Sequence, residues 1–196
     1  MSIKENAKFL KLAYTFRYAE KRIKEAEEHG EPISCFLQDL LEKEAALRRE
    51  NGITKRIKQG KFPHKKYLID FKTDHMNKEL VRRINSLKTL DFIEENKNVI
   101  LIGNPGTGKT HLAIALGIEA CMKGMSVLYT SVPNLVIELK EAMSLNQISL
   151  YRRKFERYDL VILDELGYIS FDKEANEILF NLISNRNDTG SILITT

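Results

Sequence analysis

The sequence lacks the features that mark membrane, secreted and disulfide-bonded proteins. Two cysteines, Cys35 and Cys121, form no C-x-x-C pair, which argues against a disulfide framework or a cysteine zinc site and predicts two small core residues. No stretch approaches the roughly 18 uninterrupted apolar residues of a transmembrane helix. The start, MSIKENAKFLKL, carries charges throughout and has no apolar signal region. We therefore expect a cytoplasmic protein with no membrane partner.

What the chain does have is 43% apolar and 30% charged residues, enough for one globular core with a smaller appendage. Its charge is uneven, because residues 1–98 carry 22 Lys and Arg against 16 Asp and Glu, and residues 99–196 carry 9 against 11. One basic run contains a single acid, Glu50, and eight candidate nucleic-acid-binding residues: Arg48, Arg49, Lys55, Arg56, Lys58, Lys61, Lys65 and Lys66. The run indicates a polyanionic partner, and the alternative is a solvated helix face.

The first 62 residues predict a small helical module that becomes basic toward its end. Apolar residues from Phe9 to Ala26 recur at spacings of three and four, which predicts one amphipathic helix closed by His29-Gly30. A second helical pattern starts after Pro32 and runs to Asn51-Gly52, which we interpret as its C-cap. Residues 63–76 then predict a connector.

Residues 77–196 predict a parallel α/β core. A helical pattern from Leu80 to Ile93 comes first. Four short apolar runs then predict strands at 99–102, 126–129, 160–163 and 192–194, with helical patterns near 109–122, 133–144 and 173–185. Ligands of such sheets bind at the carboxyl ends of the strands, so we expect the site there.

The clearest motif, G-x-x-x-x-G-K-[ST], lies between the first predicted strand and the helix after it. Its glycines let backbone N–H groups wrap around phosphate oxygens, and the helix directs its positive dipole end at the same anion. Lys109 is expected to reach the β- and γ-phosphates, and the Thr110 hydroxyl to complete part of a Mg²⁺ shell. The predicted nucleotide-binding residues are Gly103, Asn104, Pro105, Gly106, Thr107, Gly108, Lys109, Thr110 and His111.

An acid pair ends the third apolar run. We expect Asp164 to hold Mg²⁺ and Glu165 to orient and partly deprotonate the attacking water, with Lys109 as the other catalytic residue. The second acid favours ATP-driven oligomeric machines over GTPase switches, and no N-K-x-D motif for reading guanine occurs. The predicted cofactors are therefore ATP and Mg²⁺.

Three segments, residues 98–117, 158–168 and 174–186, resemble the IstB-like ATPases. These are transposition helpers of insertion sequences, related to the DnaC-type helicase loaders within the AAA+ superfamily. The resemblance implies an α/β P-loop NTPase (AAA+) fold, a parallel sheet core with a small N-terminal helical module. It also implies an ATPase that binds double-stranded DNA, forms ATP-dependent homo-oligomers and recruits a transposase.

Two other functions stay open on the sequence. One is a DnaC-like loader of a replicative helicase in DNA replication, and the other is a nucleotide-dependent interaction module that does not hydrolyse ATP. In the resembled family a polar sensor residue, a last strand and an arginine for the neighbour's site follow position 196. We therefore expect a fragment with weak ATP hydrolysis, unless Arg152, Arg153 or Arg186 serves a neighbouring site.

Overall fold

The computed structural model describes residues 2–74, 76–166, 173–186 and 189–196. The chain divides into two compact units, Met1–Lys55 and Arg56–Thr196. The sequence suggests a boundary at residue 62, which is a few residues after the division between Lys55 and Arg56. Among the described residues, no helix combines the length and the apolar character needed to cross a membrane.

The first unit is helical, as expected, but its helices begin and end at other residues than the sequence pattern suggests. It contains α1 (Ile3–Phe9), α2 (Ala13–His29) and most of α3 (Ile33–Gln59). The single helix predicted across Phe9 is interrupted because Lys11 has a φ of 57°, which a right-handed helix does not accommodate. Gly30, with a φ of 59°, closes α2 as predicted.

The predicted C-cap at Asn51-Gly52 is wrong, because α3 continues through both residues to Gln59. A glycine inside a helix costs only about 1 kcal/mol relative to alanine, which tertiary contacts can outweigh. Two residues beyond it make such contacts: Arg56 Nε donates to the Cys121 carbonyl at 2.9 Å, and Ile57 packs against the core of the second unit.

Cys121 is buried, as expected, whereas Cys35 is exposed and does not belong to a core.

A buried carboxylate caps the start of α2. No side chain caps this helix from the preceding residue, Leu12. Instead Glu44 of α3, only 6% exposed, accepts hydrogen bonds from the Thr15 backbone N–H at 2.9 Å and the Thr15 hydroxyl at 3.2 Å. An N–H group of the first helical turn otherwise has no partner in its own helix.

We expect Glu44→Ala to destabilise the first unit by about 1–3 kcal/mol, because it leaves the Thr15 N–H buried without an acceptor. Urea unfolding followed by far-UV circular dichroism measures the change. Glu42→Ala on the same helix is the control, since Glu42 is exposed and, among the described residues, accepts a hydrogen bond only from Gln38. Equal stability of the two variants would contradict the capping role.

The second unit holds the remaining helices and all four described strands. A 3₁₀ turn at Leu68–Asp70 comes first, and one helix, α8, is absent from the sequence expectations. In chain order the elements are α4 (Lys78–Lys88), α5 (Asp91–Glu94), β1 (Val99–Leu101), α6 (Lys109–Met122), β2 (Val127–Ser131), α7 (Val132–Ser144), α8 (Ile148–Glu156), β3 (Leu160–Asp164), α9 (Lys173–Ser184) and β4 (Ser191–Thr195). The helix predicted through Ile93 is broken at Leu90, whose φ is 70°.

The four strands form one parallel sheet in the order β1-β4-β3-β2, which confirms the predicted α/β fold class. Apolar side chains cover both faces, as parallel sheets require. One face packs with α6 and includes Tyr129 and Ile162, and the other packs with α7, α8 and α9 and includes Val161 and Leu163. Strand β1 lies at an edge of the sheet, where Ile100 is 58% exposed.

Candidate functional site

The loop between β1 and α6 has the backbone geometry that the G-x-x-x-x-G-K-[ST] motif predicts. Gly106 and Gly108 have φ values of 79° and 88°, which side chains other than glycine rarely adopt. Gly108 is also the N-cap of α6, so the loop leads directly into the amino-terminal end of that helix. Residues Leu112–Ile118 of α6 are buried beneath the sheet, which fixes this end of the helix in place.

Lys109 lies across the loop that precedes it. Its Nζ donates to the Gly103 carbonyl at 2.6 Å and to the Asn104 carbonyl at 2.9 Å, and the Thr107 hydroxyl donates to the same Asn104 carbonyl at 2.9 Å. The ammonium group is therefore held at the mouth of the loop by weak, neutral acceptors. A phosphate oxygen would be a stronger partner there.

The structure brings the two halves of the predicted site together at Asp164. This carboxylate is 3% exposed and ends β3, beside the first turn of α6. The Thr110 hydroxyl donates to Asp164 Oδ1 at 3.0 Å, and the Thr195 hydroxyl at the end of β4 donates to the same oxygen. The Tyr129 hydroxyl of β2 donates to Asp164 Oδ2 at 2.5 Å. Thus three strands and the P-loop helix meet at one carboxylate.

Tyr129 and Thr195 are functional candidates that sequence reasoning missed. In the parallel register Tyr129 pairs with Ile162, which comes two residues before Asp164. Because side chains alternate along a strand, Tyr129 and Asp164 both project from the face that α6 covers. A polar side chain among apolar strand residues on this face is the signal that could have identified Tyr129. Burial, together with Asp164, raises the pKa of Tyr129 above its ordinary value, which keeps the hydroxyl protonated as a donor.

Glu165 is exposed and lies in an unusual backbone conformation directly after β3. Its φ is 64°, which is uncommon for a residue other than glycine and is held by two hydrogen bonds. The Glu165 N–H donates to the Thr195 hydroxyl at 3.1 Å, and the Leu166 N–H donates to the Thr195 carbonyl at 3.0 Å. Gly167 and Tyr168, which end the second segment of the family resemblance, lie outside the described residues.

Two cavities adjoin the P-loop. The first, of about 510 Å³, is lined by residues 105–111 of the loop and helix together with Glu165, Thr195 and Thr196. Glu165 therefore borders the same space as Lys109 and Thr110. The second, of about 1030 Å³, adjoins the other side of the loop and is lined mainly by apolar residues of α4, β1 and the preceding segment, among them Phe71 and Leu80.

His111, predicted to contact nucleotide, lines the first cavity. Its ring meets the Phe71 ring edge-on with centroids 5.4 Å apart. Its Nε2 is buried and has no hydrogen-bond partner among the described residues. Phe71 also approaches the loop itself, since a Cβ on Gly108 would lie 3.2 Å from its ring. The aromatic ring thus packs against the base of the P-loop.

The hydroxyl and carboxylate oxygens of Thr110 and Asp164 fit Mg²⁺, which prefers hard oxygen ligands and keeps several waters. No group of three or more His, Cys, Asp or Glu side chains is arranged to hold a metal in the described part of the chain. Protein ligands as few as these are typical of Mg²⁺ that is bound mainly through substrate phosphates.

The eight bases of the predicted DNA-binding run are not equivalent in the structure. Arg48 donates to the Lys11 carbonyl at 3.3 Å, Arg56 donates to Cys121 as described above, and Lys61 forms an ion pair with Glu138 at 2.7 Å. The other five are exposed and form no ion pair within the described chain; they are Arg49, Lys55, Lys58, Lys65 and Lys66. Arg48, Arg49 and Lys55 belong to the first unit and the rest to the second.

Arg186 does not fit the suggested role of serving a neighbouring site. It is 0% exposed, and its guanidinium donates to the carbonyls of Phe155, Tyr158 and Ser191. Arg186 therefore has a structural role, because it joins α8 and the residues just before β3 to β4. Arg152 and Arg153 are exposed on α8.

Comparison with known proteins decides the family. The family model described as IstB-like ATP binding protein matches residues 5–196. The chain belongs to this family. An ATP-binding protein of insertion sequence IS5376 from Geobacillus stearothermophilus is 33% identical over 87% of this chain and 68% of its own length. The IS21 ATP-binding protein from Pseudomonas aeruginosa is 32% identical over 95% of this chain and 71% of its own.

Solved structures share the fold of this IstB-like chain. The DnaC helicase loader superposes with a TM-score of 0.59 and 23% identity, covering 69% of this chain and 77% of that chain. AMPPCP-bound DnaA from Aquifex aeolicus gives a TM-score of 0.60 and 23% identity, but this chain spans only 43% of its length. These likenesses show that the chain shares its fold with both proteins.

Proposed function

We propose that this IstB-like chain binds Mg²⁺-ATP and hydrolyses it as an ATPase. The observation that carries the proposal is the 3.0 Å hydrogen bond from Thr110 of the P-loop helix to Asp164 at the end of β3. Two motifs that are distant in sequence therefore supply their oxygens to one point, beside the loop that carries Lys109. Family membership supports ATP as the nucleotide.

Each residue of the site has a defined part in this proposal. The P-loop N–H groups and the amino-terminal end of α6 bind the phosphates, and Lys109 exchanges its loop carbonyls for β- and γ-phosphate oxygens. Mg²⁺, held by Thr110 and Asp164 when bound, neutralises charge on those phosphates. Glu165 lines the same cavity as Lys109 and Thr110, where it orients a water and accepts its proton.

We assign the nucleoside end of ATP to the larger of the two cavities beside the P-loop. Its volume of about 1030 Å³ and its apolar lining suit a purine base, and it begins at the same loop that binds phosphate. A competition experiment with a fluorescent ATP analogue tests the base: ATP should displace the analogue at lower concentration than GTP. Equal displacement by both would mean that the site does not select adenine over guanine.

The biological role we propose is that of a transposition helper, which binds duplex DNA and recruits a transposase. Support comes from relatives encoded by insertion sequences at 32–33% identity, whereas the DnaC loader reaches 23%. The test is ATP-dependent co-purification with two partners, the transposase of the same insertion sequence and the host replicative helicase. Capture of the helicase alone would favour the loader function instead.

DNA binding is expected to depend on the exposed, unpaired bases of the basic run. If all five contact phosphates, the logarithm of the binding constant should fall with the logarithm of salt concentration at a slope of about −4.5. Reversing Arg49, Lys55 and Lys58 to Glu should weaken binding and reduce the magnitude of that slope by about 2.7. Fluorescence anisotropy with a labelled duplex at several salt concentrations measures both.

The matched control reverses Lys8, Lys24 and Lys78, which are exposed and lie outside the run. It changes the net charge by the same amount, so a general electrostatic effect would weaken both variants equally. Equal loss in the two variants would remove the basic run as the DNA site.

A further inference from the structure

Asp164 is held on both of its oxygens by side chains from both neighbouring strands. Thr110 and Thr195 donate to Oδ1, whereas Tyr129 alone of the described residues donates to Oδ2. The terminal torsion of an aspartate is broad and roughly twofold, so a carboxylate bonded through one oxygen can rotate. Donors on both oxygens fix the plane of the group.

We propose that Tyr129 is a positioning residue for the metal site, which directs Asp164 Oδ1 toward Thr110 by holding Oδ2 from the opposite side. The proposal rests on the Mg²⁺-ATP function proposed above. Neither the P-loop motif nor the acid pair includes Tyr129, which comes from β2, the strand at the far edge of the sheet. Its hydroxyl reaches Asp164 across a sequence separation of 35 residues.

Contacts away from the hydroxyl also hold Tyr129 in place. The Tyr129 N–H donates to the Gly60 carbonyl at 2.8 Å, and the Phe62 ring lies with its centroid 6.1 Å from the Tyr129 ring. The segment that carries Gly60 and Phe62 is held in turn by the Lys61 ion pair with Glu138. A side chain only 8% exposed and bounded in this way has little freedom to move its hydroxyl away from Asp164.

Removing the hydroxyl should therefore loosen the metal ligand and leave the ring packing intact. Partners that orient metal ligands typically contribute 10- to 100-fold to metal affinity. We expect Tyr129→Phe to raise the Mg²⁺ concentration at half-saturation at least about tenfold, when a fluorescent ATP analogue is titrated with Mg²⁺. Binding of the analogue in EDTA should stay unchanged, because the P-loop contacts do not involve Tyr129.

Thr15→Val is the matched control. The Thr15 hydroxyl is also buried and donates to a carboxylate, Glu44, at 3.2 Å, but it belongs to α2 of the first unit. This variant should lose some stability and retain the wild-type Mg²⁺ half-saturation. A shift of equal size in both variants, or no shift in Tyr129→Phe, would overturn the positioning role.

A double-mutant cycle with Asp164→Asn separates positioning from general destabilisation. If Tyr129 acts through Asp164, Tyr129→Phe should cause no further Mg²⁺ shift in the Asp164→Asn background. An additional shift of the same size there would overturn the proposal. If the wild-type chain does not bind the analogue at all, the proposed ATP function itself fails, and that outcome is distinct from an unchanged Tyr129→Phe variant.

Discussion

Lys109→Ala should abolish most of the thermal stabilisation that Mg²⁺-ATP gives to the wild-type chain. A ligand present at 100 times its dissociation constant stabilises the folded state by about 2.7 kcal/mol. Lys109 already lies at the loop, bonded to the Gly103 and Asn104 carbonyls, so little reorganisation is needed to meet a phosphate. Differential scanning fluorimetry with increasing Mg²⁺-ATP measures the shift.

Lys123→Ala controls for the loss of a lysine from the same helix. Lys123 caps the carboxyl end of α6 and donates to the Thr89 carbonyl at 2.8 Å, so it too bonds a backbone oxygen. We expect this variant to melt at a slightly lower temperature and to respond to Mg²⁺-ATP like the wild type. A normal ATP response in Lys109→Ala would place the nucleotide elsewhere.

Glu165→Gln should retain ATP binding and lower the hydrolysis rate by about 10²- to 10⁴-fold, the usual contribution of a general base. The amide keeps the shape of the side chain and its hydrogen-bonding reach, but it does not accept the proton of the attacking water. Because the Glu165 backbone is held by Thr195, the substitution should leave the turn in place. Steady-state phosphate release and analogue binding, measured on the same sample, separate the two effects.

The corresponding control is Glu141→Gln, an exposed glutamate on α7 outside both cavities. It should hydrolyse ATP at the wild-type rate. If Glu165→Gln hydrolyses as fast as this control, the base is another group. If it loses ATP binding as well, Glu165 acts on the ground state and not on the chemical step.

Local patterns predicted the strands and the P-loop well. Each strand is a short apolar run, and the loop is contiguous, so its glycines and Lys109 identify it without any tertiary information. Helix ends were less predictable. The breaks at Lys11 and Leu90 depend on positive φ values in residues that rarely adopt them, and the extension of α3 through Gly52 depends on contacts of Arg56 and Ile57.

The sequence by itself determined the fold class, the glycine-rich loop with Lys109 and the acid pair, because each is encoded by residues adjacent in the chain. Only the tertiary structure decided which side chains meet at Asp164 and which bases remain free. Sheet register brings Tyr129 and Thr195 to the carboxylate, and packing pairs Lys61 with Glu138 and buries Arg186. Such contacts join residues distant in sequence, so no local pattern records them.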